Sequence, residues 1–365
     1  SITVDGQNLI IKTTEPNGSL LSSLTEPAFV IMDTADLKDV ASKPVLTGPY
    51  KITSFTKGES IELTAFADYW GGKPGLDSVT VKDIEDNNKR AMALQSKDVD
   101  VIQKVDSANR SLFKDGFNMQ DVSGVRVMML KVNHTEASPL HDKNVRSAVA
   151  HIINYDTMAK VIGGGALAGG APFPPSANLG YDGLSNKAVT DLAKANELLT
   201  QAGYVKNGNG IYAKDGKELK LTLAIWGKDT SMYEEIQQEL KQAGIAVELR
   251  KLQSPNEVDT LGVDSFDLVE RNVVTMSTND PYWFLSLFYK SGSKANVGGY
   301  NNPQVDALID KLAVTFDQNE RTNVAKQVQS ILLYPAANVV STSKVKNVPV
   351  HPIDYYLLTK DSTIE

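Results

Sequence analysis

Between residues 189 and 249 the chain twice runs a helical apolar stripe into a glycine. Val189, Leu192, Ala193, Ala195, Leu198 and Leu199 lead to Gly203, and a second helical stretch, residues 232–242, leads to Gly244 and an apolar strand at 245–249. A glycine at that point takes the left-handed conformation that closes a helix, so each unit delivers a helix and then turns the chain back. Asp215-Gly216 between them marks a hairpin into residues 219–225. This alternation of helical and strand periods predicts an α/β fold with mixed sheets.

The same alternation extends towards both ends. Strands are expected at 9–13, 28–32, 50–52, 60–64, 79–84, 99–102 and 125–132. Helices are expected at 88–96 and 144–153, and a further one is expected to start at Asp156 as N-cap. Residues 272–282 read as a loop before an aromatic run at 283–289. Helices at 305–316 and 320–333 follow, and a tail over 338–358 reads as strands interrupted by Pro349 and Pro352. At 365 residues about two domains are expected, with the chain crossing between them more than once because no low-complexity linker separates the halves.

Composition removes several function classes. The net charge is −7, and the seven arginines scatter from Arg90 to Arg321, so nucleic acid is not an expected partner. With no cysteine there is no disulfide, thiolate metal site or cysteine nucleophile, a composition compatible with export. No run of about 18 apolar residues offers a membrane span. The opening residues carry no basic n-region, apolar h-region or lipobox, so a leader is expected to have been removed or the chain to begin inside a longer protein.

Motifs of chemistry are scarce. Gly163-x-Gly165-x-x-Ala168 follows a helical segment and runs into Pro172, Pro174 and Pro175, the wrong context for a dinucleotide fingerprint. The spacings of His134, His141, His151 and His351 match no zinc signature. Of these, only His351 is kept as a candidate for a ligand loop. No nucleophile elbow, phosphate loop or Ser-x-x-Lys pair occurs, and Asp83-x-Glu85-Asp86 and Glu234-Glu235 read as turn and helix-face charge. The segment Arg271-Asn-Val-Val-Thr-Met-Ser-Thr-Asn-Asp280-Pro-Tyr-Trp283 stands apart. It combines a cation, hydroxyls, an amide, a carboxylate and two aromatics, a mixture suited to gripping a small polar ligand.

Several runs, in order, resemble one family. They include Thr47-Gly-Pro-Tyr-Lys-Ile52, Asp68-Tyr-Trp-Gly-Gly-Lys-Pro-Gly-Leu-Asp77, Asn88-Lys-Arg-Ala-Met-Ala-Leu-Gln-Ser-Lys-Asp-Val-Asp100, and Leu140-His-Asp-Lys-Asn-Val-Arg-Ser-Ala-Val-Ala150. Further along come Ala193-Lys-Ala-Asn-Glu-Leu-Leu-Thr-Gln-Ala-Gly-Tyr204, Asp280-Pro281 and Gly299-Tyr-Asn-Asn-Pro-Gln-Val-Asp-Ala-Leu-Ile309. From about residue 46 to 358 the chain is similar to the large extracytoplasmic substrate-binding proteins of ABC importers for dipeptides, oligopeptides and nickel. The resemblance implies a two-lobed α/β fold of the periplasmic-binding (type II-like) class, with mixed sheets flanked by helices and a ligand cleft between lobes. It implies lobe I from residues 1–132 and 335–365, incomplete at its N-terminus because family members are longer there, and lobe II from 133–334.

Which branch it resembles turns on a few positions. Peptide binders place an aspartate just before the Asp-Pro step, where this chain has Ser277. Pro172 to Gly180, Asn279-Asp-Pro-Tyr-Trp-Phe-Leu285 and Asn347-Val-Pro-Val-His-Pro-Ile353 look closer to nickel binders. Yet Glu26-Pro27-Ala28-Phe29 replaces an arginine found there in nickel binders, and residues 290–297 hold no histidine, so direct metal ligation is not expected. The resemblance therefore implies a chelate held through its organic shell. Arg271 is its carboxylate partner and Tyr282 or Trp283 the stacking surface, with Asn272, Ser277, Asn279, Asp280 and Phe29 also counted as ligand-binding. The implied role is capture and delivery to a membrane permease, by a monomer with no prosthetic group, in a periplasm or lipid-anchored at a Gram-positive cell surface. A short-peptide binder is the alternative within the family. A secreted carboxylate enzyme and a non-binding remnant are the alternatives outside it.

Overall fold

The computed structural model describes residues 1–33, 35, 44–103, 105, 109–114, 116–119, 122–163, 166, 168–185, 189–227, 229–260, 262–332, 342–343, 350–351 and 355–356. Most of the expected tail, including Pro349 and Pro352, the crossover near Tyr334, and Gly165 lie outside the described residues. The chain divides into two compact units, one of Ser1–Leu24, Val125–Ile162 and Leu167–Val340, the other of Thr25–Gly124, Gly163–Ala166 and Ser341–Glu365. Residues 1–24 fall with the unit that holds the middle of the chain. The reason is local: Gly18 donates its N–H to the Ala313 carbonyl at 2.7 Å, and the Ser19 hydroxyl reaches Asp280.

The larger unit is built on a four-stranded sheet. Its strands are β1 (Arg126–Val132), β2 (Lys220–Ile225), β3 (Ala246–Lys251) and β4 (Leu268–Val274), ordered β3-β2-β4-β1. β2 runs parallel to both neighbours, while β4 and β1 are antiparallel in register from Leu268 opposite Val132 to Val274 opposite Arg126. β1 and β2 read as near-continuous apolar runs because both of their faces are covered, and Val127, Leu130, Leu221, Leu223 and Ala224 are fully buried. Helices α1 (Lys143–Ile152), α2 (Tyr155–Ile162), α3 (Leu192–Gln201) and α4 (Ser231–Ala243) pack among themselves, and α4 also lies against β3. Three further helices follow: α5 (Tyr282–Phe288), α6 (Pro303–Val314) and α7 (Gln318–Ile331).

Helix ends follow the expected chemistry. The side chains of Asp142, Asp191, Asn302 and Asp317 accept backbone N–H groups at the starts of α1, α3, α6 and α7. α4 closes on Gly244 at φ +102°, where a Cβ would stand 2.5 Å from the Gly210 carbonyl, so glycine is required there twice over. The expected cap at Asp156 is corrected. Asn154, two residues earlier, takes the Thr157 N–H at 3.0 Å, and Asp156 sits inside the first turn.

The smaller unit carries an antiparallel sheet of Tyr50–Thr56, Ser60–Ala65 and Ser78–Lys82, and a helix, Asn87–Gln95, capped by Asp86. Two expected strands are absent from its described residues. Pro27 fixes φ and lacks an N–H, so residues 27–29 form a 3-10 turn and the segment contributes only the bridge from Met32 to Leu46. Residues 99–102 wrap the end of the preceding helix instead, with the N–H groups of Asp98 and Val99 both turned to the Ala93 carbonyl. No helix among the described residues is long and apolar enough to cross a membrane.

Candidate functional site

One expectation about the 271–289 segment is corrected by the sheet. Arg271 and Asn272 lie within β4, not in a loop, because β4 pairs with β1 as far as Val274. The aromatic run is the helix α5, which buries Phe284, Leu285 and Phe288. Between them, residues 275–281 form the turn that swings α5 back over one face of the sheet.

Alternation along β4 puts Val269 and Arg271 on that face, with Lys131 and Met129 as their partners across β1. The Arg271 guanidinium lies 5.8 Å from the Phe288 ring centroid, and Trp283, 47% exposed, meets the same ring edge-on at 6.1 Å. Arg271 and Trp283 are thus joined through Phe288, which the sequence reading missed. Arg271 Nη2 donates to Asp259 Oδ1 at 2.5 Å from the 3-10 segment Pro255–Thr260, and Nε is buried with no partner among the described residues. Beside it, buried Lys131 donates to the Phe288 carbonyl at 2.7 Å and stands 3.9 Å over the Tyr289 ring. Burial, then the charge of Arg271, pulls the Lys131 ammonium down to about 7. A lysine inside the apolar run 127–132 was the signal that could have found it.

Asp280 faces inward. Its Oδ1 accepts from the Ser19 hydroxyl at 3.2 Å and the Tyr282 N–H at 2.9 Å, while Oδ2 accepts both Nε and Nη2 of Arg321 at 2.9 and 2.5 Å. Both carboxylate oxygens of Asp280, a residue expected at the ligand, are thus taken up by groups of the protein. Asp280 fixes the start of α5 and with it Tyr282 and Trp283. Arg321 shares a helical stripe with Val324, Ala325 and Val328, and a cation on an apolar stripe foretells a buried partner.

The remaining candidates are dispersed. The Asn272 side chain accepts from Arg126 at 3.0 Å and is exposed. Ser277 lies in the turn, half-buried, and Asn279 is exposed at φ +56°, a conformation asparagine tolerates. Phe29 belongs to the smaller unit and is exposed. His141 Nδ1 bonds the His134 carbonyl, His151 Nδ1 bonds the Val189 carbonyl, and His134 packs edge-on against Tyr300, so these three rings serve the fold. The backbone of His351 pairs with Tyr355; its side chain lies outside the described residues. No group of three His, Asp or Glu placed to hold a metal ion occurs among the described residues.

On the opposite face Glu270 is buried with Oε2 unpartnered among the described residues, and burial raises its carboxyl to about 7 despite hydrogen bonds from Tyr233 and the Trp226 N–H.

Solved structures with this architecture are periplasmic binding proteins, the class of protein that the two mixed α/β units define. The chain belongs to the bacterial extracellular solute-binding proteins, family 5, whose middle region matches residues 2–296. It is 32% identical to the nickel-binding protein NikA of Staphylococcus aureus, with all of this chain and 74% of NikA aligned. The crystal structure of NikA from Staphylococcus aureus in complex with Ni(L-His)2 superposes with a TM-score of 0.72 at 30% identity, over 100% of this chain and 79% of that one. A nickel ABC transporter from Bacillus halodurans gives a TM-score of 0.79 at 26% identity, over 99% and 78%. The glutathione-binding protein GsiB of Pectobacterium atrosepticum is 27% identical over 89% of this chain, which spans only 64% of GsiB. Members of this family are transport components that bind solutes outside the cytoplasm.

Proposed function

We propose that this chain captures a nickel or related metal chelate, such as nickel–histidine, through its organic ligand and hands it to an ABC permease. The observation that carries the reading is the Arg271 guanidinium, 11% exposed at the side chain, with one N–H unpartnered among the described residues and an aromatic wall of Phe288 and Trp283 beside it. A carboxylate of the chelate would take the guanidinium, and an imidazole ring would stack on Trp283. Tyr282, Asn279 and Ser277 would form the polar surround, whereas Asn272 points to the opposite face of β4. The 32% identity to a nickel-binding protein supports the same ligand class.

The free-peptide alternative needs an acidic group for an α-amine. The carboxylate nearest this aromatic wall on the 271–283 segment, Asp280, is consumed by Arg321 and Ser19. The glutathione-binding relative keeps a short peptide as the second reading. The protein is proposed to act as a monomer, in a periplasm or anchored by lipid to a cell surface.

Calorimetric titration of nickel with two equivalents of histidine tests the reading. Arg271→Met removes a charged hydrogen bond and is expected to weaken binding roughly 10- to 100-fold. Trp283→Ala is expected to cost about 3- to 10-fold from lost stacking. Tight binding of glutathione or tripeptides, with none of nickel–histidine, contradicts it.

A further inference from the structure

The two buried guanidiniums of the larger unit are paired differently. In Arg321, Nε and Nη2, the two N–H groups along one edge of the guanidinium, both donate to Asp280, a carboxylate buried as deeply as the arginine. In Arg271 the same edge is half used: Nη2 donates to Asp259, and Nε donates to nothing among the described residues. The two residues also differ in setting, because the Asp259 side chain is 53% exposed while that of Arg271 is 11% exposed. A guanidinium edge satisfied by two parallel bonds is the stronger arrangement, so a carboxylate able to approach both N–H groups gains what Asp259 leaves unmade. Lys131 lies close enough to Arg271 for the two cations to repel, while its own ammonium is taken by the Phe288 carbonyl.

We propose that Asp259 is an internal stand-in for the ligand's carboxylate, displaced from the Nε/Nη2 edge of Arg271 when ligand binds. This rests on the reading of Arg271 as the carboxylate partner. The segment that carries Asp259 suits such an exchange. Pro255–Thr260 is a 3-10 turn held by short-range bonds, the Gln253 N–H to the Glu257 carboxylate at 2.8 Å and the Thr260 hydroxyl to the Glu257 carbonyl at 2.9 Å. Neither bond involves the Asp259 side chain, so its release from Arg271 breaks neither of them. Asp259 then sets a threshold for binding. Ligands without a carboxylate cannot lift it, and those with one compete against it.

Asp259→Asn removes the competitor's charge at an exposed position where folding is not at risk. Nickel–histidine, nickel–imidazole and trialanine are titrated into the full chain, into Asp259→Asn, and into Asp259→Asn combined with Arg271→Met. Releasing a partly exposed ion pair is expected to tighten nickel–histidine roughly 3- to 10-fold, to leave nickel–imidazole unchanged, and to lose the gain in the double variant. Nickel–histidine bound equally or more weakly by Asp259→Asn overturns the inference and leaves the chelate reading standing. Trialanine bound in place of nickel–histidine, and more tightly by Asp259→Asn, supports the inference while overturning the chelate reading. Absence of binding by all three proteins overturns both.

Discussion

Asp280 and Arg321 are almost wholly buried, 2% and 1% exposed at the side chain, and their bonds reach Ser19 at one end of the chain and Leu312 and Thr315 at the other. Removing one partner strands the other's charge in a dry site. Asp280→Asn is therefore expected to lower unfolding free energy by about 3–5 kcal/mol in denaturant titration, with the midpoint moved and the slope kept. Glu270 makes a pH-dependent prediction. Its folded carboxyl, near 7, lies above the unfolded value of 4.5, so the native state holds the extra proton between them. Stability from this group is present below 4.5 and lost as pH rises through 7. The advantage of Glu270→Gln over the unaltered chain should grow from pH 4.5 to 7 and then level off. Lys131 has the reverse sign: its folded ammonium near 7 lies below 10.5, so its contribution grows as pH rises from 7 towards 10.5. At this scale residue type alone marks Arg271 and Trp283 as candidates, and the structure brings both to the Phe288 ring. Lys131, Phe288, Asp259 and Arg321 escaped because their meaning depends on what lies across the sheet or 41 residues away.

Among elements, the periodic ones were legible. Strands at 60–64 and 125–132 and helices at 144–153 and 232–242 appear within a residue or two of their expected bounds, because each carries its own period and cap. The misses have a common cause. An apolar run such as 28–32 has no period of its own and takes whatever Pro27 imposes. The loop at 292–302 shows the same dependence: Gly298 lies so close to the end of β1 that a Cβ would overlap the Val132 carbonyl oxygen, while its own carbonyl accepts the His134 N–H at 2.8 Å. Gly298→Ala is expected to destabilise by about 2 kcal/mol or more, since backbone must yield. The check is thermal unfolding beside the control Gly208→Ala, where a Cβ meets open space.

At the scale of the whole molecule, the order of strands and helices and the family runs made the class readable before any coordinates. Both are spread over most of the chain, and matching residues 2–296 to the solute-binding family bears that out. The N-terminal residues were harder to place, because their packing on α6 depends on Gly18 and Ser19 finding partners some 300 residues away. The ligand is the least legible part, since it rests on a half-satisfied guanidinium and a few aromatic contacts. The most direct measurement of the central claim is a thermal-shift comparison of nickel alone, nickel with two equivalents of histidine, and a pool of di- and tripeptides. At a hundredfold excess over Kd, a ligand confined to the folded state stabilises by about 2.7 kcal/mol, a rise of several degrees. The account predicts that rise with nickel–histidine and not with nickel alone or peptides. A rise with peptides alone contradicts it.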